Sequence, residues 1–412
     1  MVRPERRTRA DLLAALAIAV VVAVAAGVIW WTSDARATVS KPAAEATKSA
    51  VAADAVPATL KELWTAPSPY TTTPVVAGGR VVTGDGTTVT GRDPVSGAPQ
   101  WTFARDRELC GVSWVYYYAV AVYPDGRGCG QVSTIDSSTG LRGPTRSGFA
   151  DKHVELSSDG TTVLAAGSTR LELWRSDMVR VMGYGEVDAR VLPAQTGVGK
   201  GCTLLNAAAS TSAVSVLQAC DGQPDVRLTL LLPADQDDQP KLKDVVEKGV
   251  TAQSGARVLA VSDTTTAVYL PLPSPRVSVV DETGSELAST PVPEPPSSAE
   301  GRNGPGADVS RAGDLFTWWT GTAVMVFDAN HLEYRYTIPA AGPVVPLGPA
   351  AMMAKKLLIP VTGGIGVYDQ ATGVSERVIP VTRPPADTAI VPAVSGPTVL
   401  EQRGHSVVAL GQ

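Results

Sequence analysis

Val75-Val76-Ala77-Gly78-Gly79-Arg80-Val81-Val82-Thr83-Gly84-Asp85-Gly86-Thr87-Thr88-Val89-Thr90-Gly91-Arg92-Asp93-Pro94-Val95-Ser96-Gly97, with Trp101-Thr102-Phe103 soon after, decides how this chain is read. It parses as strand, turn, strand, turn, strand, turn, strand. Each strand is short and apolar, and the turns are built on Gly and Asp, which tolerate the backbone angles a tight reversal needs.

The third strand and its turn recur as an apolar run, an Asp and a small turn ending in Gly. Copies stand at Ile135-Asp136-Ser137-Ser138-Thr139-Gly140, Val279-Val280-Asp281-Glu282-Thr283-Gly284, Val326-Phe327-Asp328-Ala329-Asn330 and Val367-Tyr368-Asp369-Gln370-Ala371-Thr372-Gly373. Weaker marks centre on Asp177 and Asp225, and Val407-Val408-Ala409-Leu410-Gly411 is the last. Successive separations are 43, 41, 48, 56, 47, 41 and about 41 residues. Four strands on such a period is the spacing of propeller blades. Eight marks predict an all-β, eight-bladed β-propeller; if the weak fourth mark is an embellishment, the ring has seven blades.

A ring must close, because an open edge is a template for unwanted strand pairing. The last unit supplies three strands and lacks its fourth. Leu63-Trp64-Thr65 matches Gln100-Trp101-Thr102, the outer strand of the first full unit. The segment around Trp64 is therefore expected to add to the last blade and clasp the ring. A β-sandwich array would not explain an orphan outer strand at one end and a missing one at the other.

Leu12 to Trp31 is twenty residues without a charge. As a helix it would span roughly 30 Å, the thickness of a hydrocarbon core, with every backbone polar group paired internally. Trp30 and Trp31 stand at its far end, where indoles favour the interface. Arg3, Arg6, Arg7 and Arg9 precede it, which predicts a cytoplasmic amino terminus and export of the chain beyond Trp31. The rival is a cleaved signal peptide, for Ala35-Arg36-Ala37 has the form of a cleavage site; the apolar run is longer than such peptides use. No cysteine stands after the run to carry a lipid. The expected layout is a cytoplasmic tail over 1–11, a transmembrane helix over 12–31, a flexible linker over 32–58 and an extracytoplasmic propeller over 59–412, anchored in the plasma membrane.

Of the 412 residues, 44% are hydrophobic and 18% charged, enough for a sizeable core. With four arginines against Glu5, the first ten residues hold +3 of a net −5, so the remainder is −8. That acidic body argues against a nucleic-acid partner, which requires a basic footprint. Four cysteines allow three pairings. Cys110 and Cys129 are 19 apart and Cys202 and Cys220 are 18 apart, which suggests two local disulfides rather than free thiols. Disulfides require an oxidising compartment, in agreement with export.

The Asp turns and the Trp beyond the first of them (Asp93 to Trp101, Asp136 to Gly140, Asp369 to Gly373) resemble the quinoprotein-like, PQQ-repeat β-propeller family. The resemblance spans roughly 60–412 and is best at 74–104 and 350–381. In layout the chain resembles Ala/Val-rich, membrane-anchored propeller proteins of actinobacteria, and it is similar in architecture to the propeller lipoprotein of the outer-membrane assembly machine, a non-catalytic scaffold. Enzymes of the family use pyrroloquinoline quinone, calcium, an Asp base and an adjacent Cys-Cys disulfide. This sequence has no Cys-Cys pair, so no cofactor is expected.

Motifs for chemistry are sparse. Gly197-Val198-Gly199-Lys200-Gly201 lacks the first glycine and the hydroxyl of a phosphate loop. Asp235-Gln236-Asp237-Asp238 lacks the Gly and Glu of a calcium loop. His153, His331 and His405 are far apart, and no metal site or catalytic constellation is expected. Lys241 to Lys248, within a long connection over 233–256, has the pattern of a short amphipathic helix, and 291–312 is a second long connection, rich in Pro, Ser and Gly. Trp318 and Trp319 after it are a candidate partner contact, against the plainer reading of strand packing.

These readings converge on a membrane-anchored, non-catalytic scaffold that binds an envelope protein or polymer. The alternative is a small-molecule or quinoprotein-type site in the central channel.

Overall fold

The computed structural model describes residues 8–33, 36–48, 50–187, 201–237, 239–292, 308–384 and 388–412. Eight antiparallel sheets stand in a ring. Blades 1 to 7 take their strands in chain order from 75–104, 111–147, 155–185, 202–246, 257–291, 309–338 and 351–380. Blade 8 takes three strands from 390–411, and its outer strand is Lys61–Pro67. Trp64 lies opposite Ala409 and Thr65 opposite Val408, so the amino-terminal strand closes the ring as expected.

In each blade the first strand is innermost. Turns from first to second and third to fourth strand lie on one face, here the lower face. Turns from second to third strand and the links between blades lie on the upper face.

The middle strands read as unbroken apolar runs because both surfaces of a blade are covered by neighbouring blades. Val120, Ala121, Val122 and Tyr123 are all fully buried. Alternation survives on outer and inner strands, as in Glu286–Pro291 and Glu155–Ser158. Blade faces meet in apolar layers, such as Trp101, Phe103 and Tyr123 between blades 1 and 2.

A repeated irregularity shapes the outer strands. Pairing slips by one residue at Leu63, Gln100, Val181, Leu287, Arg335 and Glu376. Such a bulge bends the strand and re-aims the next side chain. After three of these bulges stands a large aromatic residue that docks on the next blade's lower turn. Trp64 Nε1 donates to the Pro94 carbonyl at 3.0 Å, Trp101 Nε1 to the Ser137 carbonyl at 2.7 Å, and Tyr336 Oη to the Gln370 carbonyl at 2.5 Å. Each ring covers the turn's glycine: Gly97, Gly140 and Gly373, at φ +70°, +76° and +69°. The turn's Asp supplies the other half, Asp136 accepting from Ser138 and Thr139 backbone N–H groups.

Three expectations need correction. The segment over 32–58 is not a plain linker. Val39–Lys41 pairs with blade 1's outer strand as a fifth strand, Val39 opposite Ala104 at its upper end. The chain then crosses the lower face, where Ala43 and Thr47 donate to Thr139 and Ser138, and Arg377 donates to the Val56 and Pro57 carbonyls. Second, Lys241–Val246 is a strand, not a helix. Asp244 bonds Arg227 and Thr229 on the neighbouring strand, and Val245 covers Gly284 of blade 5, so a period of two satisfies both sides. Third, Asp225 lies in blade 4's second-to-third-strand turn, and the link to its outer strand is 233–240. The blade count stays at eight.

Arg9–Thr32 is a helix capped by Thr8, with the composition and length to cross a membrane. Beyond it, Arg36 lies 3.5 Å from the Trp31 ring centre. Cys110–Cys129 and Cys202–Cys220 are disulfide-bonded. Each closes a short loop within blade 2 or blade 4, worth about 3 kcal/mol by restricting the unfolded chain.

Candidate functional site: the central channel and the lower face

The inner strands enclose a central cavity of ≈ 620 Å³. Glu155, first in the inner strand of blade 3, lies opposite Ala166, which packs toward blade 4. Its side chain is open to the solvent of the cavity yet walled by protein, and burial pushes its carboxyl up to about 7. Several other polar groups of the lining are committed elsewhere. Arg257 is ion-paired with Asp308, which also accepts the Trp318 indole N–H at 3.0 Å. Asp159 closes its own turn through Thr161 and Thr162. Asn206 bonds both the N–H and the carbonyl of Val258, as a strand would.

The sequence candidates scatter. His153, His331 and His405 are exposed, and none lines the cavity. Residues 194–200 of the phosphate-loop-like segment lie outside the described residues; Gly201 turns into the inner strand of blade 4. Asp238 and the Pro-rich stretch over 293–307 also lie outside them. Asp237 bonds Arg180 of blade 3 at 2.7 and 3.1 Å. Trp318 and Trp319 are both buried, a correction to their reading as a partner contact. Successive side chains point to opposite surfaces of a strand, and blade 6 is covered on both. Trp318 packs with Tyr269 of blade 5; Trp319 packs toward blade 7 and donates to the Pro346 carbonyl at 3.0 Å.

Among the described residues no group of three or more His, Cys, Asp or Glu is placed to hold a metal ion. The quinone that the resemblance implies is a tricarboxylate. The lining offers it Glu155, Asp159 and Asp263 against two guanidiniums, of which Arg257 is already paired with Asp308, so the residues do not fit it.

Two carboxylate clusters escaped the sequence reading. Glu172, buried in blade 3, meets Arg170 at 2.6 Å, Arg146 of blade 2 at 2.7 Å and Arg180 at 3.3 Å. Burial alone would raise its carboxyl; the guanidiniums of Arg170 and Arg146 and the Trp174 N–H hold it below its ordinary value instead. Glu401, fully buried in blade 8, pairs with Arg383 and Arg403, each at 2.6 Å. Arg170 and Arg403 stand two residues from their glutamates, but Arg146 and Arg383 are 26 and 18 residues away, and no local motif marks the clusters.

The lower face differs from the upper in its exposed apolar residues. Val95, Tyr116, Tyr117, Leu141, Val179 and Val374 stand in its turns, and Leu242, Leu287 and Tyr334 at the adjoining strand ends. Their counterparts above are Val39, Val246 and Leu272, among the described residues. Tyr116 holds φ +50° in a two-residue turn, a conformation that bulky residues rarely adopt.

No protein-family model matches the chain, and no curated protein matches it. Solved structures do. The likeness is one of fold. Sqt1 of Saccharomyces cerevisiae matches at TM-score 0.50 and 9% identity, over 88% of this chain and 98% of its own. BamB from Moraxella catarrhalis matches at TM-score 0.45 and 12% identity, over 86% of this chain and 98% of its own. The computationally designed protein Ika8 matches at TM-score 0.48 and 13% identity, over 90% and 98%. The chain is thus an eight-bladed β-propeller preceded by a helix able to span a membrane.

Proposed function

We propose that this chain is a membrane-anchored, extracytoplasmic, non-catalytic scaffold that binds an envelope protein or polymer through the lower face of its propeller. The observation that carries this reading is the uneven placement of exposed apolar residues, which favours the lower face and includes Tyr116 and Tyr117. An apolar surface concentrated on one face is a mark of a binding surface. The helix supports an anchor, and the two disulfides support an oxidising compartment. Six residues separate Thr32 from Val39, which joins blade 1 at its upper end. They reach at most about 20 Å. The upper face then lies toward the bilayer and the lower face toward the envelope. The docking of Trp64 and Trp101 on Asp–Gly turns supports kinship with quinoprotein-like propellers.

The test is a photo-crosslinking amino acid placed in the full chain, in cells, at Tyr117 or Val179 and, for comparison, at Leu272 or Val246. Discrete adducts from the lower positions alone are expected. Adducts from the upper positions alone, or from none, reject the lower-face assignment. Extraction of the protein from membranes by alkaline carbonate rejects the anchor.

A further inference from the structure

The central cavity is not evenly placed in the ring. It reaches past the inner strand of blade 3 to Leu164 and Ala166 in the second strand. On the far side it reaches past the inner strand of blade 6 to Phe316. Blades 3 and 6 are therefore the side walls of a recess, and the inner strands of blades 4 and 5 are its floor. Glu155 faces the same side of blade 3 as Ala166, toward Ala207 and Ala209. Among the described residues no cationic side chain pairs with it. Along the lining Arg257 is neutralised by Asp308; Arg311, which donates to the Gly313 carbonyl at 3.3 Å, stands at the lower end with Asp159 and Asp263.

We propose that this recess binds a small organic cation with an apolar body, its ammonium group against Glu155 and its body against Leu164, Ala166, Ala207 and Ala209. The volume of ≈ 620 Å³ lies within the about 300–1,000 Å³ usual for small-molecule sites. A carboxylate walled by protein loses hydration, and an arriving cation restores a favourable partner. With Arg257 and Asp308 paired, three carboxylates against Arg311 leave the lining net negative, which disfavours anions. The site is independent of the anchor and of the lower face.

The experiment uses the full chain in nanodiscs and three probes of one shape: cyclohexylamine, cyclohexanol and cyclohexanecarboxylate. Calorimetry at pH 8, with empty nanodiscs subtracted, is expected to show binding of the amine alone. Glu155→Gln, with a melting temperature no lower than that of the native protein, is expected to lower that affinity by about tenfold or more. Ala207→Leu, which fills the recess and keeps the carboxylate, is expected to lose binding as well. No heat from the amine at millimolar concentration, equal binding of the alcohol or the acid, or unchanged affinity in both variants overturns the proposal.

Discussion

Trp64 donates its indole N–H to the carbonyl of Pro94 across the seam where the last blade meets the first. Trp101 makes the same bond to Ser137 one blade on, so the closure of the ring reuses the joint found inside it. Replacing Trp64 by Ala removes both bond and packing. It is expected to cost about 3 kcal/mol, and the fully buried Trp101 about 4 kcal/mol. Trp64→Phe keeps most of the packing and should cost about 1 kcal/mol for the bond. Denaturant midpoints of the three variants give this order.

The glycine beneath each ring is required for two separable reasons. At Gly140 the backbone is left-handed, and a Cβ would fall 2.5 Å from the Trp101 side chain. At Gly363 the backbone is also left-handed, but nothing lies within 4 Å. Gly363→Ala is therefore expected to cost only about 1–2 kcal/mol of backbone strain. Gly140→Ala adds overpacking of about 1–3 kcal/mol. Equal losses in thermal denaturation would refute the docking geometry.

Arg383 bonds both carboxylate oxygens of Glu401, at 2.6 and 2.9 Å. Arg383→Met leaves much of that charge uncompensated in the interior and is expected to cost about 3–5 kcal/mol. Pairing it with Glu401→Gln should recover part of the loss, and a double-mutant cycle measures the coupling.

Acid stability should split the two unusual glutamates. The folded-state pKa of Glu172 is lowered, so its contribution is present above its unfolded value and is lost as the pH falls. Glu172→Gln should therefore destabilise at neutral pH and flatten the acid limb of a melting-temperature profile. Glu155 is the opposite case, raised to about 7 by burial. Its favourable term is present below its unfolded value and is lost as the pH rises through 7. Glu155→Gln should match the native protein at pH 4 and melt higher at pH 8.

The ring was legible because its punctuation is local. An Asp–Gly turn after an apolar run can be recognised within ten residues, and the pairing of Trp64 beside the last blade came from matching Leu63-Trp64-Thr65 to Gln100-Trp101-Thr102. What stayed hidden depends on residues far apart in the chain. Val39–Lys41 has no strand-like composition and is ordered only by the free edge of blade 1. Lys241–Val246 has helical charge spacing, but the neighbouring strand decides its conformation. Trp318 and Trp319 invited a surface role because alternation normally exposes one residue of a pair; between two blades neither is exposed. Glu155 has no motif at all, and its chemistry comes from its position in the ring.

The strand Val39–Lys41 also governs how tension reaches the ring. A pull on the amino-terminal helix is borne first by three residue pairs along blade 1 and next by the chain held to Thr139, Ser138 and Arg377. Only when both have peeled away does load arrive at Lys61–Pro67, the strand on which closure depends. The propeller thus carries a mechanical fuse in series with its own clasp, and mild tugging can be spent there without opening the circle.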